Sequence, residues 1–271
     1  MSFAEVLAAR VAGRESQIVL GLDPAAGNLW PQADADVATH CAALIAAAGP
    51  ACVAVKPQLA CFERLGAAGW DALERTIAAA HDAGLLVIAD GKRGDVPVTA
   101  AAYADALYRL GADAWTANPL LGRDSLAPLL DGGAGVFVLV RTSNPGAADI
   151  QDLELASGGP LWEELARIVG SLGEVGSSGF SHVGAVVGAT QPGHLARARE
   201  LMPATIFLLP GVGAQGGKVE DLAPAFASGR AGGLVSASRS IAMAHVERGG
   251  TPTGAARIEA ERLRELAWGL G

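Results

Sequence analysis

The sequence predicts an α/β protein, a closed (β/α)8 TIM barrel in one domain. Three observations carry that expectation. Eight short apolar runs recur along the chain, a helical pattern follows each, and the 271 residues suit a fold that takes about 250. Strand followed by helix, repeated, requires a parallel sheet with its helices outside. An open, doubly wound sheet is the competing arrangement, and the count of eight favours closure. No linker or shift in composition divides residues 1–271, so a single barrel domain is expected.

The strands are expected at Gln17–Leu22, Ala51–Val55, Leu85–Ala89, Ala112–Ala117, Val136–Val140, His182–Val187, Thr205–Leu209 and Gly233–Ser236. Their near-continuous apolar character is that of parallel strands buried on both faces. Trp70, Leu73, Ile77 and Ala80 mark one helical stripe between them, and Leu263, Leu266, Ala267 and Leu270 mark the last. The connection at about 142–159 is long for this fold, and its Ser-Asn-Pro-Gly start suggests an ordered turn. The Gly- and Ser-rich run 173–181 reads as a surface connection.

Composition narrows the function. Hydrophobic residues at 51% and charged residues at 18% fit a compact chain. A net charge of −8 argues against nonspecific nucleic-acid binding, which uses a basic face. An anionic small molecule remains open to a site that gathers its own cations. No apolar run is long enough to span a membrane, and Met1-Ser2-Phe3-Ala4-Glu5 lacks a basic leader. A cytoplasmic protein is expected. Cys41, Cys52 and Cys61 have no C-x-x-C spacing and read as buried, inert thiols. The five histidines are scattered without paired ligand spacing, so no metal site is indicated.

The stretch richest in chemistry is Asp90-Gly91-Lys92-Arg93-Gly94-Asp95-Val96-Pro97-Val98-Thr99, after the third apolar run. Alternation along a strand puts Asp90 and Lys92 on one face. Asp95 follows where Gly94 and Pro97 break the strand, and Thr99 falls where a helix would start. A solvated loop with local ion pairs would account for an arbitrary D-x-K-x-x-D. Its position at a strand's C-terminal end, where barrels build active sites, favours chemistry. Polar residues recur past other strand ends: Asp23, Lys56, Ser143, Thr190, Gln215 and Arg239. Lys56, Asp90, Lys92 and Asp95 form an alternating charge series in which each member stays ionised beside opposite neighbours. Gly211-Val212-Gly213-Ala214-Gln215-Gly216 matches G-x-G-x-x-G, but it follows the seventh strand rather than opening a first βαβ unit. A flexible loop and a phosphate collar are both open readings of it. Arg239, past the eighth strand, is suited to pair with the same anion, and the two loops together favour phosphate binding.

These residues together resemble a known family. Asp90 to Thr99 is similar to the D-x-K-x-x-D-I-x-x-T signature of orotidine 5′-phosphate decarboxylase. Gly-Leu-Asp23-Pro, Val-Lys56-Pro, Arg141-Thr-Ser143-Asn-Pro, Pro210-Gly-Val-Gly-x-Gln215-Gly and Ser238-Arg239 agree in order. The Arg-Thr-Ser-Asn-Pro segment and the length resemble the longer bacterial subfamily found in actinobacteria. The resemblance implies a (β/α)8 homodimer without cofactor or metal, forming uridine 5′-phosphate in pyrimidine synthesis. It implies Lys92 as general acid at C6, Asp90 beside the substrate carboxylate, and Lys56 with Asp23 at the ribose. It implies Asp95 and Thr99 reaching the partner subunit's site, Ser143 at the pyrimidine, and Pro210, Gln215, Ser238 and Arg239 in the substrate site, with Gln215 and Arg239 on the phosphate. Val96 departs from the commoner isoleucine. A metal-dependent sugar-phosphate decarboxylase or aldolase of the same superfamily is the runner-up, but it would want a metal-binding acid. A catalytically dead phosphosugar-binding barrel is the third reading, and the filled charged positions speak against it.

Overall fold

Alternation along eight parallel strands decides which side chains reach the centre of this molecule. The computed structural model describes residues 1–25, 27–31, 36–213 and 216–271. Its strands are β1 (Ile18–Leu22), β2 (Ala54–Pro57), β3 (Leu86–Arg93), β4 (Ala114–Ala117), β5 (Gly135–Arg141), β6 (Val183–Val187), β7 (Phe207–Leu209) and β8 (Gly233–Ala237). They close in sequence order into one barrel, and β1 pairs with both β2 and β8 in parallel register. No described helix is long and apolar enough to cross a membrane.

Two layers fill the interior, spaced by the two-residue period of a strand. Val19, Ala54, Ile88, Ala114, Phe137 and Leu234 form the lower, apolar layer. The helix Phe3–Arg14 closes the N-terminal end beneath it, with Phe3, Leu7 and Val11 in the same cluster. Phe3 meets Phe137 edge-on at 6.0 Å, and a Cβ on Gly135 would stand 2.3 Å from the Phe3 ring, so only glycine fits. Two residues further along each strand lie Lys56, Asp90, Thr116, Leu139, Val186, Leu208 and Ser236, which line the cavity at the C-terminal mouth. The second apolar cluster lies outside, between strands and helices, and includes Leu20, Val55, Val87, Trp115, Val138 and Val235.

Several boundaries differ from the sequence reading. The second strand begins at Ala54 instead of Ala51, because Gly49–Ala51 forms a 3-10 turn around Pro50. Lys56 is therefore inside the strand. β3 continues past Ala89 to Arg93, and its register with β4 shifts between those residues. The fourth and seventh strands each start two residues later than expected, at Ala114 and Phe207. Of the first helical stripe, Leu73, Ile77 and Ala80 are buried, but Trp70 is exposed. Cys41 and Cys52 are buried, and burial pushes both thiols up to about 12. Cys61 is only half-buried.

Candidate active site

Charge collects on the β2–β4 side of the mouth. Lys56 Nζ donates to Asp90 Oδ2 at 2.5 Å, and Lys92 Nζ donates to Asp90 Oδ1 at 2.6 Å. Thr116 Oγ1 donates to Asp90 Oδ1 at 2.9 Å, and Gln58 Nε2 reaches Oδ2 at 3.4 Å. Lys56 and Asp90 are buried, while the Lys92 side chain is 42% exposed and projects into the cavity. Burial alone would raise the Asp90 carboxyl, but the Lys56 and Lys92 cations outweigh it and hold the group well below the usual carboxylate range. Burial likewise disfavours the Lys56 cation, and Asp90 first, then Asp23, pushes it the other way, for a net rise. Asp90 and Lys56 are thus ionised across the neutral range. Lys92 adds a cation whose head is open to a ligand.

Asp90 and Lys92 do share a face, but regular alternation is only part of the reason. Lys92 adopts a left-handed backbone, φ 48°, within the register shift between β3 and β4. Such bulges bend a strand and re-aim its side chains. Arg93 then turns away, pairing with Glu63 and lying 5.2 Å over the Tyr103 ring.

The cavity has a volume of about 800 Å³ and gathers Asp23, Lys56, Asp90, Lys92, Ser143, Pro210, Ser238 and Arg239 from six of the eight strand ends. Asp23 Oδ1 is buried with no hydrogen-bond partner among the described residues. Gly21, two residues before it, faces Ser238, whose Oγ would lie 1.8 Å from a Cβ at that position. Arg239 is exposed at the start of the short helix Arg239–Ala242, with no salt bridge to a described residue. Ser143 is held by the connection that follows β5. Arg141 grips Asp152 through two bonds of 2.8 and 2.9 Å, and Thr142 N donates to Gln151 Oε1 at 2.8 Å. The connection includes the helix Ala148–Gln151.

Two expected residues, Asp95 and Thr99, do not line this cavity. Asp95 Oδ1 accepts from Val96 N at 2.7 Å, so within one chain the charge series is Lys56–Asp90–Lys92. Thr99 lies in the helix Pro97–Arg109. Gln215 falls outside the described residues. The glycine loop is partly self-satisfied: Gly213 N donates to Gly217 O, Gly216 N to Gly213 O and Gly217 N to Gly211 O. Those amides are not free for an anion, whereas Gly211 and Val212 border the cavity. Among the described residues no three His, Cys, Asp or Glu side chains are grouped to hold a metal ion.

The sequence model of the orotidine 5′-phosphate decarboxylase / HUMPS family matches residues 16–249. The chain belongs to that family. It is 43% identical to the orotidine 5′-phosphate decarboxylase of Deinococcus radiodurans, over all of this chain and 98% of that one. It is 45% identical to that of Halorubrum lacusprofundi, over 98% of both. The solved structure of Leishmania donovani OMP decarboxylase superposes with a TM-score of 0.80 at 36% identity, covering 98% of this chain and 99% of that one. A Streptomyces avermitilis structure, provisionally named an orotidine 5′-phosphate decarboxylase, gives 0.86 at 33%, covering 98% and 94%.

The cavity wall also contains residues that the sequence reading passed over. Gln58 directly follows Val-Lys56-Pro, a position with a legible signal. Thr116 is the one polar residue of Ala-Trp-Thr-Ala, and counting by two from Ala114 would have found it. Leu161, Leu165 and Ile168, on the helix Leu161–Gly170, present one face to the cavity. Their spacing of four and three residues is equally that of a core stripe.

Proposed function

We infer that the chain's activity, decarboxylation of orotidine 5′-phosphate to uridine 5′-phosphate and carbon dioxide, runs through the Lys56–Asp90–Lys92 array. That activity makes it a carboxy-lyase of UMP biosynthesis. The observation that carries the mechanistic reading is a buried carboxylate held between two lysines, one of which opens into the cavity. In this reading the bond from C6 to the carboxyl carbon breaks and its electron pair stays on C6. The Lys92 ammonium lies where that charge develops, stabilises it, and then transfers a proton to C6. Carbon dioxide leaves, and Lys92 regains its proton from solvent. Asp90 sits beside the substrate carboxylate, and the repulsion between the two anions ends with departure of the neutral gas. The two ammonium groups meet the need for positive charge, so we propose that no metal or cofactor takes part.

Binding is shared among the remaining strand ends. We assign Asp23 and Lys56 to the ribose hydroxyls, an assignment supported by the unpartnered Asp23 Oδ1. Ser143 reads the pyrimidine. Pro210, Ser238 and Gln215 border the phosphate, with Arg239 as its cation. Contacts to a phosphate remote from C6 supply energy for orienting the reacting ring.

We further propose a homodimer in which Asp95 and Thr99 serve the neighbouring subunit's site. Both lie off the mouth cavity, and Val96 and Val98, between them in the chain, are exposed apolar residues. An isologous contact there would cover them. We place the protein in the longer bacterial, actinobacterial-type subfamily and in the cytoplasm. The test of the function is the ultraviolet absorbance change of orotidine 5′-phosphate on addition of protein, with uridine 5′-phosphate identified as product. Binding without turnover would reduce the site to a nucleotide receptor.

A further inference from the structure

We propose that Thr116 is a positioning residue for the decarboxylation, fixing both the backbone of Lys92 and the carboxylate of Asp90 through one hydroxyl. The proposal rests on the reading above and adds a residue to it. Thr116 is 1% exposed, in β4, and its Oγ1 lies 2.8 Å from Lys92 N and 2.9 Å from Asp90 Oδ1.

The direction of both bonds is forced. A backbone N–H only donates, so the hydroxyl oxygen accepts from Lys92. An ionised carboxylate only accepts, so the single hydroxyl hydrogen goes to Asp90. Neither bond has an alternative polarity in which the same atoms satisfy each other. Thr116 therefore holds Lys92 twice: at its amide directly, and at its ammonium through Asp90 Oδ1, which also accepts from Lys92 Nζ at 2.6 Å.

The backbone explains why such a hold is needed. The regular ladder between β3 and β4 lapses between Ala89 and Arg93, and Lys92 lies at φ 48°. Non-glycine residues occupy that region at a cost and persist there when their surroundings fix them. Asn118 N resumes the ladder at Arg93 O, at 2.8 Å. Between the two ladder segments the Lys92 amide is met by a side chain instead of a strand carbonyl. The conformation that brings Lys92 Nζ back onto Asp90 is thus tied to β4 by this one hydroxyl.

The test compares Thr116→Val with Thr116→Ser in the full chain. Valine keeps the shape and removes the hydroxyl; serine keeps the hydroxyl and removes the methyl. For Thr116→Val, kcat should fall about ten- to a hundredfold, the size expected for a hydrogen bond to a charged, positioned group. KM for orotidine 5′-phosphate and affinity for uridine 5′-phosphate should stay within about twofold, because ground-state binding is untouched. Hydrogen exchange of the Lys92 amide, read without substrate, should quicken in Thr116→Val and stay protected in Thr116→Ser, which should recover most of kcat. Should Thr116→Val not fold, Thr116→Ala against Thr116→Ser carries the same comparison. An unchanged kcat without the hydroxyl, or serine failing as valine does, overturns the proposal. Wild-type protein that binds but never decarboxylates would instead overturn the functional reading, and the exchange measurement would still judge Thr116.

Discussion

The two walls of the cavity are built on different principles. On the β2–β4 side, Lys56, Asp90, Lys92 and Thr116 are hydrogen-bonded to one another before any ligand arrives. On the β7–β8 side, Arg239 is exposed and makes no salt bridge to a described residue, next to a loop whose glycine amides bond among themselves. One wall is pre-organised; on the other, among the described residues, the cation has no ion-pair partner, and the proposed function gives it the substrate's phosphate. Preorganised charge stabilises a transition state without reorganisation during reaction. A free cation at the rim instead contributes on capture of an anion. Substitutions should therefore damage catalysis on one side and capture on the other.

The largest effect is expected on the pre-organised wall. Lys92→Ala removes the proposed proton donor and the cation proposed to face C6, and kcat should fall roughly 10⁴-fold or more from the combined losses. Circular dichroism should be unchanged, since the Lys92 side chain is 42% exposed.

Next comes the proposed sharing of sites between subunits. Asp95→Ala should be nearly inactive although Asp95 does not line the mouth cavity of its own chain. Mixed with Lys92→Ala and allowed to exchange subunits, it should recover activity. A mixed dimer has one site with both lesions and one with neither, so random 1:1 exchange returns about a quarter of native sites by two-fold symmetry. No recovery after confirmed exchange would confine Asp95 to its own subunit.

A smaller effect, on stability, reports the Asp90 charge. Its carboxyl is held below the usual range, so its contribution is present above about pH 4, the unfolded value, and is lost as pH falls through the folded one. Lys56 is held above its usual value, so its contribution is full below about pH 10 and is lost as pH climbs through the folded value. Asp90→Asn leaves two cations without their anion and should cost about 3–5 kcal/mol at pH 7 by denaturant titration. The penalty should shrink as pH falls below about 4, where Asp90 of the unfolded wild-type chain takes up a proton. A penalty independent of pH would trace the loss to packing.

Much of this contrast was legible in the sequence, unevenly. Asp90 and Lys92 were legible because they end an apolar strand two residues apart, although the left-handed turn at Lys92 was not; no residue type there demands it. Lys56 was legible for the same reason, even with β2 placed three residues early. Thr116 was passed over because a threonine inside an apolar strand reads as a β-branched core residue, although counting by two along the strand reaches it. Leu161, Leu165 and Ile168 were hidden because a cavity wall and a core stripe share one period. The Arg141–Asp152 pair that anchors the connection after β5 was also out of reach, since nothing in the spacing selects Asp152 over neighbouring acids.

The contrast between the walls is tested most directly by two variants on two substrates. Lys92→Ala and Arg239→Ala are each assayed on orotidine 5′-phosphate and on orotidine, which lacks the phosphate. Arg239→Ala should lower kcat/KM on the phosphorylated substrate by about 10- to 150-fold, the value of a charge-assisted pair at roughly 1.5–3 kcal/mol, and change almost nothing on orotidine. Lys92→Ala should abolish turnover of both. An equal loss on both substrates for Arg239→Ala would contradict the account, showing that Arg239 supports the fold or the pyrimidine end instead of capturing the phosphate.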